Sequence, residues 1–162
     1  MEFSEKAQEI IACIKGAQKG DNNCLIQLKA IEIISDSYKY FLEILFSDTN
    51  KIDNVKFSVY RSLVNYCNYY TNQIPLIKNF IKDSILAKTE EFSAAPDKIK
   101  RGLSILICFL YKDSSEELSS FIMSILDSSD RSYRLALIIA DDYVHETKSL
   151  IGMSVVISRC FK

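Results

Sequence analysis

An all-α protein is what this sequence predicts, and three observations carry the prediction. Apolar residues recur at helical spacing in nearly every segment. Strand-like alternation is sustained nowhere. Breakers are scarce, with four Gly and two Pro in 162 residues, so clusters of Asn, Asp and Ser mark the breaks. The length favours a single domain over residues 1–162, since domains run to about 100–150 residues.

The first helix is predicted over 4–19, with Ser4 as N-cap and Ala7, Ile10, Ile11 and Ile14 as its apolar stripe. Gly20-Asp21-Asn22-Asn23 stops it, because Gly tolerates the left-handed conformation that ends helices. A second helix covers 23–34, and a third covers 36–46 with Tyr38, Phe41, Leu42 and Leu45 inward. Ser47-Asp48-Thr49-Asn50 reads as a turn. The fourth helix, 51–70, repeats Ile52, Val55, Val59, Leu63 and Tyr66 at helical spacing, joined by Cys67 and Tyr70.

After a loop at 71–74, Pro75 sits in a first turn, where its missing N–H costs nothing. Leu76, Ile77, Phe80, Ile81 and Ile85 carry the fifth helix to residue 88. Residues 90–95 read as no more than one short turn. Pro96-Asp97 opens the sixth helix, to 111, with Ile99, Leu103, Leu106, Ile107 and Leu110 aligned. Ser114 and Glu117 have capping-box spacing and open a seventh, carried by Leu118, Phe121, Ile122 and Ile125. Asp127-Ser128-Ser129-Asp130 breaks it; an eighth helix at 131–144 and a ninth at 148–159 follow. These two are apolar on more than one side, which predicts a central position or mutual cover.

About nine short helices make either an irregular bundle or a degenerate stack of helical hairpins, loosely like HEAT repeats. A shift of 33 residues sets Asp97, Arg101, Ile105 and Leu106 on Asp130, Arg134, Ile138 and Ile139. Leu118, Phe121, Ile122 and Ile125 echo Leu76, Phe80, Ile81 and Ile85 at a shift of about 41, so no single period holds.

Composition excludes more than it assigns. Twenty Lys and Arg stand against 21 Asp and Glu, a net charge of −1, without the cationic surplus a nucleic-acid binder uses. The first residues are charged rather than apolar, and apolar runs such as 135–140 fall far short of the ~20 residues a bilayer span needs. A cytoplasmic protein with no membrane partner is expected. The five cysteines, Cys13, Cys24, Cys67, Cys108 and Cys160, are widely and irregularly spaced, and read as reduced thiols rather than a zinc or redox motif.

Chemistry-bearing patterns are few. Phosphate-loop, dinucleotide and nucleophile-elbow motifs are absent from the sequence. Asp141 and the single histidine, His145, lie four apart and share a helix face, but a metal site needs at least a third ligand. The expectation is a non-enzyme with no catalytic residue, no metal and no cofactor.

Two features point to binding. From residue 113 to 146, eight acids face two arginines and give −6, which leaves +5 for the rest of the chain. Such polarity steers an oppositely charged partner. Glu116, Glu117, Asp127, Asp130, Asp141 and Asp142 are the acids expected at a contact. The second feature is Tyr60, Tyr66, Tyr69 and Tyr70 interleaved with Asn65, Asn68 and Asn72. Tyr66 and Tyr70 read as buried, whereas Tyr69 shares an outer face with the asparagines, a composition common at recognition surfaces.

With its small all-α chain, its Ile, Asn, Ser and Lys-rich composition and its lack of an active site, the sequence resembles the immunity proteins of bacterial contact-dependent growth inhibition systems. That resemblance implies a protein that binds the C-terminal toxin domain of a large surface effector and covers its active site, and it transfers no functional residue. The expected partner is a cognate toxin with a basic nuclease cleft, not nucleic acid. The competing expectation is a helical scaffold or adaptor for an endogenous protein.

Overall fold

The computed structural model describes residues 3–47, 52–147 and 153–161. The predicted turn at 48–50, the predicted helix start at Lys51 and residues 148–152 of the predicted ninth helix lie outside the described residues. Among the described residues the protein is all-α, with ten α-helices, one 3-10 turn and no strand. The chain divides into two compact units, Met1–Ile74 and Pro75–Lys162.

The first unit holds α1 (Glu5–Gln18), α2 (Asn22–Ile31), α3 (Ser37–Leu45) and α4 (Asp53–Tyr69), then a 3-10 turn at Thr71–Gln73. Ser4 caps α1 by accepting the Ala7 N–H at 3.3 Å. Gly20, at φ 92°, closes it: its N–H donates to the Ala17 carbonyl, and the Asp21 N–H to the Gly16 carbonyl, both at 3.0 Å. That pair of bonds is a Schellman motif, and a side chain at Gly20 would strain it. Asp21 then caps α2, accepting the Asn23 and Cys24 N–H groups at 2.9 and 3.3 Å. Gly20 and Asp21 thereby fold α1 and α2 into a helical hairpin. Gly16 lets the two helices close up, since a Cβ there would lie 2.3 Å from Cys24 Sγ.

The second helix ends at Ile31, three residues short of the predicted end. Beyond it the bonding tightens to i−3, the Ile33 N–H donating to the Ala30 carbonyl at 3.3 Å and the Ile34 N–H to the Ile31 carbonyl at 3.1 Å, while Tyr70 Oη donates to Ile33 O and Tyr66 Oη to Ser35 O. Two phenols thus pin the α2–α3 connection onto α4. Of the predicted α4 stripe, Val55, Val59, Leu63, Tyr66 and Cys67 are buried, whereas Ile52 and Tyr70 flank the helix and are half-buried. Tyr60 is also fully buried, and its hydroxyl has no hydrogen-bond partner among the described residues.

The second unit contains α5 (Ile74–Ala87, whose first residue ends the other unit), α6 (Thr89–Ser93), α7 (Asp97–Leu110), α8 (Ser115–Ser128), α9 (Tyr133–Thr147) and α10 (Ser154–Cys160). Residues 89–93 form a true, short helix where at most a turn was expected. On α5 the buried stripe is Ile77, Ile81 and Ile85, while Leu76 and Phe80 are turned outward and exposed. The predicted capping box at α8 does not form: Ser114 makes no side-chain cap bond, and Glu117 reaches Lys78 Nζ at 2.7 Å instead. Lys78 also sits 4.4 Å above the Tyr111 ring, so one cation serves both.

Helix α9 starts at Tyr133 rather than 131 because the preceding residues are held in a turn. Ser132 donates to the Ser129 carbonyl at 2.7 Å, and Ser129 donates to Glu90 at 2.6 Å, tying that turn to α6. Leu135, Ala136, Ile138, Ile139, Ala140 and Tyr143 are all buried, and α9 touches α6, α7, α8 and α10. The width of its apolar face thus reflects a central place in the unit. Helix α7 packs against α9, and α8 touches α10. No helix among the described residues is long and apolar enough to cross a membrane.

Candidate functional site

The acids singled out by charge are split by the fold into two kinds. Three of them join the framework. Asp142 faces α7, where it accepts from Arg101 Nη1 and Ser104 Oγ, each at 2.7 Å. Asp127 pairs with Arg159, fastening α8 to α10. Glu117 pairs with Lys78. The other three stay open to solvent: Glu116 on the first turn of α8, Asp130 in the turn before α9, and Asp141 on α9. None of these three is paired with a Lys or Arg among the described residues; the nearest basic ring to Asp141 is His145, Nδ1 to Oδ1 3.8 Å.

Glu116 and Asp127 lie near opposite ends of α8, eleven residues or about 16 Å apart, so the acids do not form one continuous face. Asp141 and Asp142, adjacent in sequence, point to different neighbours.

One depression beside these acids is a groove of about 530 Å³ bounded by α7, α9 and α10. Leu137, Ile138 and Val144 of α9 form its floor, with Ile157 and Phe161 on the α10 side. Asp97, Arg101, Arg134 and Asp141 bring charge to it. Arg134 grips Asp97 in a two-pronged bond, Nε at 3.0 Å and Nη2 at 2.6 Å. This fork holds the Asp97 carboxyl below its ordinary range, chiefly through the hydrogen bond. The Lys78 contact lowers Glu117 in the same way, and the backbone N–H groups of α2 lower Asp21.

A carboxyl held low when folded binds protons more weakly than in the unfolded chain. Its stabilisation is present above the unfolded value of about 4 and fades as pH falls through the lower folded value. The urea midpoint should therefore drop as pH is taken from about 5 to 2, and Asp97→Asn should flatten that slope. An unchanged slope in Asp97→Asn would show that the Arg134 fork contributes nothing to the pH dependence. The groups are exposed, so the effect is small and salt-sensitive.

Burial pushes the Cys67 and Cys108 thiols up to about 12, far from the reactive thiolate. All five cysteines are free. Cys108 donates weakly to the Ile139 carbonyl at 3.6 Å. His145 is 81% exposed, and no group of three His, Cys, Asp or Glu among the described residues could hold a metal ion.

Tyr69 belongs to the first unit and is 62% exposed. Its ring meets Tyr70 edge-on at 4.8 Å, and Tyr70 reaches the Ile33 carbonyl. Ile33 and Ile34 are exposed beside this contact. Asn65 and Asn68 are exposed on the same helix, with Asn65 donating to Glu32 at 3.2 Å.

Charge counting did not find the groove, nor the two ion pairs beside it. Both depend on residues more than 30 positions apart, which local spacing does not connect. Comparison with family models, with curated proteins and with solved structures finds no match.

Proposed function

We propose that this chain is a non-catalytic binding protein of the cytoplasm that neutralises a cognate toxin, a basic nuclease domain, by covering its active cleft. One observation carries the reading. After the internal ion pairs are formed, Glu116, Asp130 and Asp141 remain exposed without a Lys or Arg partner among the described residues, as do Asp113 and Glu146 on the same unit. Unpaired carboxylates suit a cleft built to hold phosphates, because they offer the same charge to the same cations. A second reading is favoured by Tyr69 with Ile33 and Ile34. These three exposed side chains carry no charge and suit an adaptor that engages an endogenous protein through apolar contact.

The two readings separate in a binding experiment on the partner recovered from source cells. For a toxin held by charge, the triple reversal Glu116→Lys, Asp130→Lys and Asp141→Lys should slow association by about tenfold or more at low salt. Rising salt should slow the wild type towards the variant, as screening shortens the field to about 10 Å at 0.1 M. Wild-type rates in the triple variant, together with weakened binding by Tyr69→Ala, would remove the acidic surface from the account and install the adaptor reading.

A further inference from the structure

The groove between α7, α9 and α10 has a shape and a charge that together specify an occupant. It follows α9 from Arg134 to Val144, ten residues, or about 15 Å, which matches about three turns of a docked helix. Its floor is apolar: Ile138 is buried, Leu137, Val144 and Ile157 are half-buried, and Phe161 is 76% exposed at one side. A phenylalanine so open to water beside an apolar trough marks a surface that a partner covers.

Charge then narrows the partner. Asp97 is neutralised by Arg134, and Arg101 by Asp142. Of the groove's charged groups, Asp141 alone has no ion pair with a Lys or Arg among the described residues. An occupant with no charge would cover that carboxylate with only the exposed His145 ring, 3.8 Å away, to meet it, and an acidic side chain against it would be repelled.

We infer that this groove receives an amphipathic helix of the partner, laying its apolar residues along α9 and pairing one Lys or Arg with Asp141. The inference rests on the reading of the chain as a protein-binding protein and names the segment chemistry its partner presents. Helix-in-groove recognition supplies the anchors, with apolar residues spaced three and four apart.

The probe is an alanine-based helical peptide of about 15 residues, with Leu at i, i+3, i+4 and i+7 and a Lys on the flank of that stripe. A second peptide has Glu in place of the Lys. Fluorescence anisotropy with the full chain should show the Lys peptide binding at least about fivefold tighter than the Glu peptide. Asp141→Asn should abolish that preference, and Phe161→Ala should weaken both peptides by about fivefold. Both changes are at exposed positions, so the fold is retained.

Equal binding of the two peptides, binding of neither, or indifference to Phe161→Ala would overturn the inference. Failure of the wider reading looks different. If the recovered partner binds Asp141→Asn and Phe161→Ala like wild type, the groove assignment falls while the binding function stands. If the Lys peptide binds as expected but no protein partner is inhibited, the toxin reading falls while the groove stands.

Discussion

Truncating Leu106 or Leu63 to Ala should lower the free energy of unfolding by about 2–5 kcal/mol, the usual cost of a core leucine cavity. Leu106 has no exposed surface and sits on α7 between Leu103, Ile107 and Leu110, all buried. Its helix lies along α9, where Leu135 and Ile139 are also fully buried. Leu63 occupies the equivalent place on α4, with Val59, Tyr66 and Cys67 around the same face. Packed helices collapse only partly into such a void, so the lost contacts are not regained. Domain stabilities are about 5–15 kcal/mol, so either change removes a large share. Ile105, on α7 but 42% exposed, is the internal control. Its truncation should cost well below the Leu106 value, of the order of 0.5 kcal/mol. Urea denaturation read by circular dichroism checks all three, and a loss under about 1 kcal/mol at Leu106 would mean its helix face is misassigned.

Gly16→Ala should destabilise the protein in one background and not in another. A methyl there meets Cys24 Sγ at 2.3 Å and Cys24 Cβ at 3.1 Å. Overpacking of this kind costs about 1–3 kcal/mol. Replacing Gly by Ala in a helix returns at most about 1 kcal/mol, and less in a last turn such as this one. The clash therefore wins, and the single variant should unfold more easily. With Cys24→Ala the sulfur is gone and the remaining approach needs only a small shift. Adding Gly16→Ala to that variant should then be neutral or stabilising. The change of sign in this double-mutant cycle is the specific result; additive effects would remove the α1–α2 contact as the reason for a glycine at this position.

Much of this architecture was legible in the sequence, and the reasons are local. Helical spacing located the buried residues of α4, α7 and α8, because a helix facing a core must repeat its apolar positions about every 3.6 residues. Gly20 and Ser4 announced their caps because few residues serve those geometries. What escaped was set by contacts distant in sequence. The connection after α2 is held by the Tyr66 and Tyr70 phenols, more than 30 residues away. Glu117 left its capping box for Lys78, an ionic hydrogen bond that local spacing cannot show.

The candidate site was legible in composition but not in detail. Counting charge along residues 113–146 gave the acids without the cations that meet them from outside, Lys78, Arg101 and Arg159. Asp141 and Asp142 illustrate the difference: neighbours in sequence, one joins α9 to α7 and the other faces the groove. Tyr69 fared better, since its place on α4 followed from the same period that buried Tyr66.

The central claim is inhibition by binding, and a titration tests it most directly. The chain, immobilised, would be used to recover its partner from source cells. The nuclease activity of that partner would then be measured as free chain is added. The account predicts a nuclease whose activity falls linearly to zero at one equivalent of chain, with the equivalence point unchanged and the affinity weakened in the Glu116→Lys, Asp130→Lys and Asp141→Lys variant. A recovered partner without nuclease activity, or one whose activity persists when saturated with the chain, would contradict it.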